Sequence, residues 1–143
     1  MSGISEHKKK IREHLDELQD AINIGIEKRP STIGFHTVAC AMEFLELYLH
    51  LAQLISSGKM IKHSWFQRPK EGQKIIPLIE RKLPVNFLGK ENVYELLYIL
   101  EDNRDTLIYG KSSKAQIELV VKTFMKLKSL MEKKIEEAGE GLE

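Results

Sequence analysis

TIGFHTVACAMEFLELYLHLAQLISS, residues 32–57, is apolar around most of a helical circumference. Ile33, Phe35, Val38, Ala41, Met42, Phe44, Leu45, Leu47, Tyr48, Leu49, Leu51, Leu54 and Ile55 leave only a narrow polar stripe of His36, Glu43, Glu46, His50, Gln53 and Ser57. An arc this broad must meet several neighbours, so the stretch predicts the central helix of a bundle. Ser31 and Thr32 stand as candidate N-caps, and Gly58 as the stop.

Outward from this segment the chain reads as all-α, a single-domain bundle of about five helices over residues 1–138 with a frayed tail at 139–143. A first helix is expected over residues 5–28, where Ile4, Ile11, Leu15, Leu18, Ile22 and Ile26 recur at three- and four-residue steps. Pro30 ends it. Residues 59–74 change character: Lys59, Lys62, Arg68, Lys70 and Lys74 face only Glu71, with His63, Trp65 and Phe66 among them. Pro69 and Gly72 point to irregular backbone there. A short helix is expected over 75–82 with Pro77 near its first turn. A fourth begins near Lys90, runs to Ile108 and closes at Gly110. Ser113 and Gln116 have capping-box spacing and open a last helix carrying Ile117, Val120, Val121, Phe124, Met131 and Ile135.

With 143 residues, 42% hydrophobic and 30% charged, the chain can bury a core without staples and is not a disordered one. Net charge of +1 supplies no global field for nucleic acid or membrane, so any such binding must come from a local patch. The single Cys40 cannot form an intrachain disulfide, the first residues lack an apolar signal core, and charges interrupt every candidate span. A cytoplasmic protein without membrane contact is expected.

Arg104 is the most informative residue. At 100° per residue it falls with Val93, Leu97, Leu100 and Leu107, while Glu95, Asp102 and Asp105 fall opposite. A guanidinium on a core-facing stripe needs a partner or a wet cleft. Glu43 on the central helix is the first candidate partner and Glu46 the second; the alternative is an arginine that snorkels to solvent. In the basic stretch, Lys62, His63 and Arg68 can meet phosphates and Trp65 and Phe66 can stack on bases. The favoured alternative is that the two aromatic side chains plug the core of the bundle, since a lone tryptophan is usually buried in part.

The run Arg104-Asp105-Thr106-Leu107-Ile108-Tyr109 resembles the signature of HEPN domains, in which an arginine followed by a polar residue precedes a histidine by about five positions. The helix order around it is similar too, over residues 8–135, with Phe35, Ala39, Ala41 and Glu43 on the second helix. Lys62-His63-Ser64-Trp65-Phe66 resembles the basic-aromatic connection of archaeal members. The resemblance implies a homodimer that binds nucleotide or RNA around Arg104, Asp105 and Tyr109, with a nucleotidyltransferase as partner. Active members cleave RNA without metal using the arginine and the histidine. Tyr109 stands at the histidine position, and a phenol titrating near 10 is a poor acid/base at neutrality. The expectation is therefore a binding domain without catalytic residues. In some toxin members the partner modifies a tyrosine two residues beyond the histidine; here that position is Lys111. Two alternatives stay open: a metal-independent endoribonuclease using Arg104 with His63 or another histidine brought in by the fold, and a non-enzymatic helical adaptor or dimerisation module.

No metal or other cofactor is expected. His7 and His14 border the first helix's apolar stripe, and His36, Glu43 and His50 follow seven-residue steps. Antiparallel packing would bring His14 towards His50. Neither a His-Glu-x-x-His pattern nor paired Glu-x-x-His motifs occur. Cys40, inside the most apolar helix, is a poor nucleophile.

Overall fold

The structure, a computed structural model, describes residues 3–56, 58–70, 72 and 75–139. Within them the chain is all-helical, with five α-helices: α1 (Ile4–Ile24), α2 (Pro30–Leu51), α3 (Leu78–Lys82), α4 (Lys90–Tyr109) and α5 (Lys114–Glu137). Short 3₁₀ turns lie at Ile26–Lys28 and His63–Phe66. No helix among the described residues is long and apolar enough to cross a membrane.

α2 is the hub. It packs against α1, α4 and α5, and buries Ile33, Val38, Ala41, Phe44, Leu45, Leu47 and Leu49 against them. Phe35, read as part of the apolar arc, instead lies on the surface at 46% exposure. The helix starts two residues earlier than expected because Pro30 fits its first turn, where no amide donor is needed. It also ends sooner, at Leu51, with Gln53 at a positive φ of 59°. Ser57, Glu71 and Lys74 lie outside the described residues, as do residues 140–143 of the expected tail.

Ser31 caps a different helix from the one expected. Its hydroxyl donates to the carbonyl of Ile108 at 2.9 Å, and so satisfies an end carbonyl of α4. The start of α2 is thereby fixed against the end of α4. Nearby, a Cβ on Gly34 would stand 2.7 Å from Leu107 Cβ and 3.3 Å from the Arg104 carbonyl oxygen, so glycine allows the close crossing. α1 stops at Ile24 rather than near Lys28, since Gly25 adopts φ 128° and the chain continues as a 3₁₀ turn. α3 is shorter than expected, and Pro77, expected near its first turn, stands at its N-cap. Ser113 accepts the Gln116 amide at 3.1 Å, one half of the capping box. The Gln116 side chain donates to Asn103 instead, which ties α5 to α4.

Candidate functional site: the Arg104 face of α4

The connection between α2 and α3 is pinned onto α4 by aromatic packing. Phe66 is fully buried between Tyr94 and Tyr98, with ring centroids 5.2 and 5.9 Å away. Burying a phenylalanine contributes about 1.5–3 kcal/mol. Phe66 is therefore a core plug, as one of the two sequence readings had it, and is not available to stack on a base. Trp65 is half-buried, with Lys59 Nζ 5.7 Å from its ring centre.

Arg68 follows Phe66 and is neutralised. Its Nε donates to Asp102 at 2.8 Å, its other nitrogens to Glu95 at 2.7 and 3.3 Å, and the guanidinium covers Tyr98. Hydrogen bonds to Glu95 and Asp102 hold its pKa well above the usual guanidinium range, and Arg68 in turn lowers that of Glu95. A cation so matched clamps the connection to α4 and presents little free charge to a phosphate.

The 3₁₀ turn anchored by Phe66 delivers His63 to α4, where its Nδ1 lies 2.9 Å from a Glu101 carboxylate oxygen. The Glu101 side chain is only 9% exposed, that of His63 39%. Burial pushes Glu101 above the ordinary carboxylate range, while the His63 hydrogen bond and the His63 and Arg104 charges oppose the shift. Arg104 comes one helical turn after Glu101. Its side chain is 16% exposed, as the helical wheel requires of an inward position. Its NH1 donates to Asp105 at 3.0 Å, and that carboxylate is 81% exposed. Lys62 is exposed at the entry to the turn, and Tyr109 is 78% exposed at the last residue of α4.

The face thus gathers Arg104, Asp105 and His63, with Lys62 beside His63 and Tyr109 beyond Arg104. Glu101 was missed from sequence. Its signal was its spacing: it is three residues before Arg104 and four after Leu97, so it shares their side of the wheel.

Glu43 belongs elsewhere, which corrects the expected Glu43–Arg104 pair. Its Oε1 lies 2.8 Å from His7 Nδ1 at the α1–α2 seam. Glu46, the second candidate, accepts the Ile61 amide at 2.7 Å and lies 3.8 Å from His7. Nor do His14 and His50 meet. His14 shares a 2.8 Å hydrogen bond with His36, and His50 stacks on His7. Burial lowers the pKa of His14 and of His36, which suits two neutral rings of complementary tautomer. Cys40 is buried, with its thiol pushed up by burial and by Glu43.

No protein-family model matches this chain, and no match was found among curated proteins or among solved structures.

Proposed function

We propose that this chain is a HEPN-like domain that binds RNA or a nucleotide through phosphate contacts at Arg104, without the ribonuclease histidine. The observation that carries the reading is Arg104 itself. It is held against the bundle, yet its ion pair among the described residues is with Asp105, a neighbour mostly in water. A guanidinium has five N–H donors, so most of this fork remains for an incoming phosphate. Lys62 supplies a second cation near His63, and the exposed Tyr109 offers a ring on which a base can stack. With the reading go a homodimer, a nucleotidyltransferase partner and a cytoplasmic location.

The test is a fluorescence-anisotropy titration of labelled short single-stranded RNA, with ATP as competitor, on the wild type and Arg104→Ala. A charged hydrogen bond contributes about 1.5–3 kcal/mol, so the variant should bind roughly tenfold or more weakly. Equal binding by both proteins, or binding by neither, contradicts the proposal.

The His63–Glu101 pair favours a second reading. An imidazole oriented by a largely buried carboxylate, which itself stands one turn before an arginine, suits a general acid/base working with a phosphate-binding cation. Under this reading His63 does the work that Tyr109 cannot, and RNA is cleaved without metal. Cleavage should then persist in EDTA and vanish in both His63→Ala and Arg104→Ala. RNA left intact by the wild type eliminates this reading and leaves the binding role standing.

A further inference from the structure

The seam between α1 and α2 holds four of the chain's five histidines, His7, His14, His36 and His50, together with Glu43 and Glu46. The helices run antiparallel, and both place polar residues at seven-residue steps, so these side chains meet in two groups. His14 and His36 satisfy one another at 2.8 Å. The second group is not closed in this way.

Around His7 two carboxylates converge. Its Nδ1 is 2.8 Å from Glu43 Oε1 and 3.8 Å from Glu46 Oε1, and one donor atom from each of the three residues lies within 4.8 Å of the others. Metal–ligand bonds of about 2.0–2.2 Å in tetrahedral geometry set neighbouring ligand atoms roughly 3.4 Å apart, which these separations bracket. His7 is 2% exposed and its Nε2 has no hydrogen-bond partner among the described residues. That buried nitrogen therefore lacks the compensation that buried polar atoms ordinarily find. Two largely buried carboxylates thus converge on one imidazole nitrogen. Beside them the His50 ring stacks on His7 at 5.1 Å, and its Nε2 is likewise buried and unpartnered.

We propose that His7, Glu43 and Glu46 bind a divalent first-row transition-metal ion, with His50 next to the remaining coordination position. Imidazole with carboxylate is the donor set of Zn²⁺, Mn²⁺ or Fe²⁺, and it lacks the thiolates that select softer ions. Glu43, Glu46 and His50 stand at i, i+3 and i+7 on one stripe of α2, and His7 comes from the second turn of α1, so the ion bridges two helices. Glu46 Oε2 meanwhile holds the amide of Ile61, which ties the start of the α2–α3 connection to the same centre.

Co²⁺ is the probe, because its visible absorption reports coordination directly. Metal-stripped protein titrated with CoCl₂ should develop bands that saturate at one ion per chain, and its melting temperature should rise. Glu43→Gln, which keeps the side chain's shape, and His7→Ala should each weaken Co²⁺ binding roughly tenfold or more and remove the thermal shift. His36→Gln should leave both intact. Far-ultraviolet circular dichroism checks that each variant is folded, and Glu43→Gln alone decides the matter where His7→Ala fails to fold. Absence of the bands in wild-type protein overturns the proposal. So does undiminished binding in Glu43→Gln, or loss of binding in His36→Gln alone.

Discussion

Arg104 shows what a helical wheel can and cannot deliver. Its inward position was legible because Leu97, Leu100 and Leu107 flank it at three- and four-residue steps, and the side chain is indeed mostly covered. Its partner was not legible, because a wheel carries no information about where two helices cross. α2 comes close to α4 at Gly34, where a Cβ would meet Leu107 and the Arg104 carbonyl, whereas Glu43 lies nine residues further along α2 and pairs with His7. At 1.5 Å per residue that is about 13.5 Å along the axis. The pairing with exposed Asp105 has a direct consequence for stability. Arg104→Ala should cost about 1 kcal/mol or less in a urea-denaturation experiment, the scale of an exposed ion pair plus some lost alkyl packing. A loss of about 3–5 kcal/mol would mean that Arg104 belongs to a buried structural pair after all.

Among elements, the α2–α4 contact matters most for the candidate site, since it sets where the last two turns of α4 lie. Ser31 donates to a terminal carbonyl of α4 and Gly34 allows the helices to close, two roles that no local pattern marks. The sequence reading took Ser31 as a cap for its own helix because N-cap preference is a statement about neighbours in the chain. The Ser113 cap, by contrast, is local and formed as read. Gly34→Ala should destabilise the protein by about 1–3 kcal/mol, because a methyl 2.7 Å from Leu107 Cβ forces backbone to move. Under the proposed function it should also weaken RNA binding, since Arg104 sits one turn from the displaced contact. Thermal unfolding at wild-type temperature would show instead that the two helices have room to spare.

At the scale of the whole molecule, the bundle followed from periodicity and from the breadth of the apolar arc on α2. The α2–α3 connection did not, because its order comes from long-range contacts: Phe66 between Tyr94 and Tyr98, Arg68 on Glu95 and Asp102, and His63 on Glu101. Those contacts make the basic stretch a strap across α4, in keeping with the reading in which its aromatic residues plug the core. They also divide its cations: Arg68 is held by acids, while the His63 imidazole meets Glu101, one turn before Arg104, and Lys62 stays exposed beside His63. Under the proposed function, RNA would therefore lie on the Arg104 end of α4 and not along the whole basic segment. Photocrosslinking with 4-thiouridine-substituted single-stranded RNA, followed by peptide mapping, tests this most directly. Crosslinks should fall on the peptides carrying Tyr109 and Lys62–His63 and should be lost in Arg104→Ala. Crosslinks confined to other surfaces, or unchanged in that variant, would contradict it.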